Sequence, residues 1–66
     1  MYSTYEILER ALQKERQAYD FYEHLAADCP NEEVKAMLEK LRDEENKHIH
    51  MVQAMLTRMN LGHEPV

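Results

Sequence analysis

Two stretches of this chain place apolar side chains at alternating steps of four and three residues, and one Pro-containing tetrapeptide separates them. The first series runs Thr4, Leu8, Ala11, Glu15, Ala18, Tyr22, Leu25 and Cys29. The second runs Val34, Leu38, Leu41, Glu45, His48, Val52, Met55 and Met59. Such steps trace the a/d seam of a helical bundle, whereas a half-buried strand alternates every second residue. The ends carry the matching signals. Ser3-Thr4-Tyr5-Glu6 spells a capping box, and Tyr2 and Ile7 stand where a hydrophobic staple would close it. Asp28-Cys29-Pro30-Asn31 is the turn, with Asn31 as N-cap and Glu32 and Glu33 suited to the next helix dipole. Arg58 fits the last turn of the second helix, and Gly62 fits the position after it. These signals predict one domain over residues 1–66: helix 4–28, turn 29–31, helix 32–60 and tail 61–66, an antiparallel two-helix hairpin.

The apolar surface is wider than one seam. Tyr5, Leu12, Tyr19 and Ala26 extend it on the first helix, and Ile49 and Leu56 extend it on the second. One neighbouring helix cannot cover a face of that width, so the expected architecture is an all-α four-helix bundle built from two hairpins. Length supports this, because 66 residues rarely sustain a core without a disulfide, a metal or a partner chain. Cys29 is the single cysteine, so neither an intrachain disulfide nor a thiolate zinc site is available within one chain. A homo-oligomer, at least a dimer, is expected. The net charge of −5, from 13 acidic and 8 basic residues, argues against nucleic acid and anionic membrane as partners. No apolar run is long enough for a membrane span, and Tyr2, Glu6, Glu9 and Arg10 interrupt any signal-peptide core, so a cytoplasmic protein is expected.

Glu15, Glu45 and His48 are the charged or histidine residues within the two seam series. A buried carboxylate must be protonated, paired or bound to a metal. Glu15 precedes the turn by about as many residues as Glu45 follows it. At a rise of about 1.5 Å per residue, both stand roughly 22 Å from the turn. His48 lies one helical turn beyond Glu45 on the same face, and the small Ala11 and Ala18 flank Glu15 along its seam. A two-fold axis between two hairpins, even with their turns at opposite ends, brings both triplets to one level. Four Glu and two His then converge, which is the di-iron carboxylate ligand set. Four carboxylates and two neutral imidazoles balance two divalent cations, shared across the dimer. Oxygen and nitrogen donors without thiolate suit Fe, with Mn as the alternative, and leave positions for a small oxidant such as oxygen or peroxide. The competing reading is a Glu–His hydrogen-bond cluster that sets register in a metal-free bundle.

The segments Glu15-Arg16-Gln17-Ala18-Tyr19-Asp20-Phe21-Tyr22 and Arg42-Asp43-Glu44-Glu45-Asn46-Lys47-His48 resemble the rubrerythrin branch of the ferritin-like superfamily, over about residues 6–58. Rubrerythrin domains carry two hairpins in one chain. With one hairpin, this sequence is similar to the encapsulated ferritins, whose hairpins pair between subunits around a di-iron ferroxidase centre. The resemblance implies that Glu15, Glu45 and His48 are iron ligands and that Tyr22 is a tyrosine adjacent to the site. Rubrerythrin-like peroxidase or manganese catalase activity uses the same ligands. Encapsulated ferritins have further glutamates around the first ligand that take up metal; Lys14 and Gln17 stand there here, with Glu44 a substitute. They also continue into a targeting tail, whereas this sequence ends at Val66, so no encapsulin shell is expected as a partner. The cysteines that bind the second iron of full rubrerythrins are absent.

The remaining candidates have plainer readings. Tyr19 and Tyr22 suit core packing with satisfied hydroxyls, besides donating to Glu15. His24 and His50 fall at outward positions. Met37, Met51, Met55 and Met59 read as core or oligomer contacts.

Overall fold

The computed structural model describes residues 1–60, which form two helices, α1 (Thr4–Ala27) and α2 (Glu32–Asn60). The predicted caps are present. The Glu6 N–H donates to Ser3 Oγ and the Ser3 N–H donates to Glu6 Oε1, both at 3.1 Å, which closes the capping box. At the head of α2 the Val34 N–H donates to Asn31 Oδ1 at 2.9 Å, and the Lys35 N–H to the Asn31 carbonyl at 2.8 Å. The first helix stops one residue earlier than expected. Asp28 is its C-cap, at φ −95° and ψ 0°. The Cys29 N–H closes on the Ala26 carbonyl at 3.3 Å, an i to i+3 bond that tightens the exit. Pro30 explains the stop, because its ring disfavours helical geometry at the preceding residue. The half-buried Cys29 thiol donates weakly to the Asn31 carbonyl at 3.5 Å. The expected tail, with Gly62 as a C′ residue, lies outside the described residues.

The face that each helix turns to the other is rotated from the expected seam. Leu8, Glu15 and Tyr22 of α1 and Leu38, Glu45, Val52 and Met59 of α2 lie on it, as anticipated. Their companions, however, come from the flank. Ala26, Ile49 and Leu56 are the buried residues of the hairpin, while Leu25, Leu41 and Met55, assigned to the seam, remain exposed. Arg42 lies on this rotated face. Its Nη1 reaches Glu23 across the hairpin at 3.2 Å, and its Nη2 reaches Asp43 at 3.0 Å. The stem of Arg42 therefore occupies a covered position that a count of apolar residues assigns to solvent. The ion pair itself contributes little, at most about 1 kcal/mol for a partly exposed pair.

A second stripe is left open. It carries Ile7, Phe21 and Leu25 on α1 and Val34, Met37, Leu41, Met51 and Met55 on α2, each more than a third exposed. The hairpin is a rod of 47 × 20 × 14 Å, with a radius of gyration of 14.9 Å. A compact domain of this length has a radius near 11 Å. Its surface of 5241 Å² exceeds by roughly 800 Å² what a compact monomer of this mass exposes. That excess is about what one partner contributes to a standard protein interface.

Two substitutions separate the two faces. Ile49→Ala removes a buried contact of the hairpin and is expected to lower unfolding stability by about 2–4 kcal/mol. Met37→Ala, on the open stripe, is expected to leave the stability of dilute protein within about 0.5 kcal/mol of the parent. Urea denaturation followed by circular dichroism checks both.

Candidate metal centre

Glu15 comes from α1 and Glu45 and His48 from α2, all three near the middle of their helices, where the backbone is rigid. The i, i+3 spacing puts Glu45 and His48 on one face of α2, one above the other. The antiparallel packing brings Glu15 level with them. One donor atom from each residue lies within 4.8 Å of the other two. Metal–donor bonds of roughly 2.0–2.2 Å allow donors on one ion to stand up to about 4.4 Å apart. The three groups are therefore close to the spread of one coordination sphere. Among the described residues no other such group of His, Cys, Asp and Glu comes together.

The triad sits at the base of the open stripe. The Glu45 side chain is 19 % exposed, Glu15 29 % and His48 47 %. His48 Nδ1 faces both carboxylates, 3.2 Å from Glu15 Oε2 and 3.4 Å from Glu45 Oε2. Nδ1 carries at most one proton, and it is aligned with Glu15. Glu45 Oε2 is consequently buried without a hydrogen-bond partner. An orphaned buried acceptor costs about 1–3 kcal/mol, more when charged. A cation between Glu45, Glu15 and His48 removes that cost, so the donor set fits a divalent metal on the structure's own terms.

Protonation follows the same crowding. A hydrogen bond from Glu45 holds the Glu15 carboxyl below its ordinary range, and His48 adds to the effect. Sharing that bond with Glu15, together with desolvation and the negative charge of Glu15, pushes Glu45 up. The bond to Glu15 likewise raises His48, with desolvation opposing it. Without metal, the centre retains protons on Glu45 and His48 to a higher pH than isolated side chains would.

Other expected residues are not drawn in. Tyr22 lies two turns from Glu15 on the same stripe, about 10 Å along the axis, and its ring packs on Phe21 at 5.6 Å between centroids. Within one chain its hydroxyl makes no hydrogen bond to the triad among the described residues. Tyr19 is half-buried, and His24 and His50 are exposed, as their positions predicted. Glu44 is exposed and pairs with Lys47 at 3.4 Å. A surface depression lined by Glu6, Glu9, Arg10 and Gln13 contains no triad residue. The ion pair between Glu23 and Arg42 escaped the sequence reading, since no local spacing links residues that far apart. No described helix is long and apolar enough to cross a membrane.

Comparison with known proteins gives one finding. A family model described as Rubrerythrin matches residues 6–66. No curated protein and no solved structure matches the chain.

Metal binding competes with protons for Glu45 and His48, since the ligating forms are carboxylate and neutral imidazole. Both groups are raised, so acidification favours the metal-free state. Anaerobic Fe(II) titrations are expected to show affinity falling as pH drops from 8 toward 6, with protons released on binding. An affinity that does not change with pH would show that these groups are not the ligands.

Proposed function

The chain belongs to the rubrerythrin family of the ferritin-like superfamily, and we propose that it acts as a homodimeric ferroxidase whose di-iron centre forms between two hairpins. The observation that carries this reading is the half-set of ligands at the base of an uncovered apolar stripe. Glu15, Glu45 and His48 of one chain offer three protein donors and formal charge −2, which is too few donors to enclose an ion. Two chains offer four carboxylates and two imidazoles, the set for two divalent ions. The open stripe and the excess surface give the second chain its docking area.

Glu45 is the least exposed member, and its buried oxygen has no hydrogen-bond partner, so it would hold metal together with Glu15 and His48. Glu15 stays ionised and provides the fixed negative charge. His48 closes the cluster toward the second chain and binds through Nδ1, the nitrogen that faces the carboxylates. When bound, two ferrous ions supply two electrons in all, enough to reduce dioxygen to peroxide or peroxide to water. The chain's part is to hold the charge, exclude bulk water beneath the apolar stripe and release protons from Glu45 and His48 as metal binds. Tyr22 stands outside the ligand group.

The same ligands serve peroxidase or manganese catalase chemistry, so turnover must separate the activities. Fe(II) oxidation by oxygen faster than peroxide consumption supports the ferroxidase. The reverse order points to peroxidase or catalase.

The expected metal content is one iron per chain and two per dimer, with Fe(II) strengthening the dimer, because metal relieves four crowded carboxylates. Elemental analysis and sedimentation with and without Fe(II) check this; metal-free protein after iron-replete growth, or equal dimer affinity in both states, counts against it. Replacing Glu45 by Leu and His48 by Met discriminates further. A metal protein loses all iron, whereas a bundle that uses the cluster only for register keeps or gains stability.

A further inference from the structure

Methionine is concentrated where the hairpin is open. The chain has five methionines. Three of them, Met37, Met51 and Met55, share the face of α2 that carries His48, with exposures of 52 %, 60 % and 37 %. Met51 stands one turn beyond His48, a spacing that leaves Cβ atoms about 5–6 Å apart. Met55 is one turn further on. Met59 is half-buried on the inner face, and Met1 is fully exposed ahead of α1. The Leu, Ile, Val and Phe residues of the stripe stay apolar in the presence of a mild oxidant. The thioethers do not.

Hydrogen peroxide converts a thioether to a sulfoxide. The sulfur lone pair forms the S–O bond as the O–O bond breaks, and the second oxygen leaves with both protons as water. Sulfur loses two electrons and peroxide gains them. The product is polar, and methionine sulfoxide reductases reverse it. On an unpaired hairpin the sulfoxide of a stripe methionine stays in water. Beneath a second hairpin it is buried among apolar side chains, where a polar group without a hydrogen bond is costly. Oxidation therefore opposes pairing and leaves the hairpin's own contacts, at Ala26, Ile49 and Leu56, in place.

We propose that Met51, with Met55 and Met37 on the same stripe, is a reversible oxidation site through which hydrogen peroxide holds the hairpin in its unpaired form. This proposal rests on the homodimer reading, which supplies the cover over the stripe. Met51 leads because it is the most exposed of the three and adjoins His48. Its sulfoxide lies where two chains close around the metal ligands. Pairing in turn shields the stripe, so unpaired chains are the ones modified.

The test uses the full chain with Zn(II), which has no redox chemistry of its own. Sedimentation of unoxidised protein comes first; a monomer in the presence of metal overturns both this proposal and the reading beneath it. Peroxide is then added to dilute metal-free protein and to the Zn(II)-loaded dimer, and each methionine is followed by peptide mass spectrometry with Met1 as the exposed standard. Relative to Met1, Met37, Met51 and Met55 should react at least about tenfold more slowly in the dimer, because only unpaired chains offer the stripe. Equal rates in both states overturn the proposal and leave the dimer standing. Oxidised protein should pair about 10–100-fold more weakly, and sulfoxide reductases should restore it. Met51→Gln should weaken pairing without peroxide, whereas Met51→Leu, which conserves volume, should pair like the parent. A variant with Met37→Leu, Met51→Leu and Met55→Leu should keep its pairing through peroxide treatment. Cys29 is present in every variant, so its oxidation cannot account for a difference between them. Unchanged pairing of the oxidised parent, or an equal loss in the leucine variant, overturns the proposal.

Discussion

Everything in this hairpin is arranged around two glutamates and a histidine that a helix–helix interface would ordinarily exclude. Carboxylates on a bundle face repel one another and lose hydration, and both costs fall on Glu45: its carboxyl is pushed above the ordinary range, and one of its oxygens is without a partner. Placing them at mid-helix, where neither end can fray to relieve them, keeps the cost in place until a cation arrives. The fold is therefore poised rather than relaxed in its metal-free state. Family membership and donor chemistry agree on what relieves it, since both support a ferritin-like di-iron carboxylate protein.

The second constraint is area. Ala26, Ile49 and Leu56 are the buried side chains of the hairpin, and three such residues cannot offset the entropy of ordering two long helices. The exposed Leu, Met, Val and Phe residues on the other stripe are the surface with which to complete a core. The apolar stripe and the incomplete ligand set lie on the same side of the molecule. On the homodimer proposal, one docking event supplies both the missing core and the missing ligands, which would link metal binding to assembly.

Much of this was legible in the residues. Caps are local, so Ser3, Glu6 and Asn31 could be read directly and were found with the predicted bonds. The triad was legible because polar residues on an otherwise apolar seam have few physical explanations, and equal distances from a turn imply equal heights. The orientation of each helix was less accessible. Two sets of positions, one containing Leu25 and the other Ala26, satisfy the same alternation of fours and threes. Arg42 sits on the face that is used, its stem packed in the hairpin while its guanidinium reaches Glu23. Binary patterning scores such a residue as exposed. Tyr22 shows the opposite limit: its resemblance to a site tyrosine concerns position along the chain, and two helical turns separate it from Glu15 within one hairpin.

The central claim is that two chains share one pair of irons, and Mössbauer spectroscopy of the iron-loaded, air-oxidised protein addresses it most directly. Four Glu and two His around two ions should give a spin-coupled ferric pair with no paramagnetic ground-state signal. Spectra of isolated high-spin ferric ions, each magnetically independent of any other, would contradict the account.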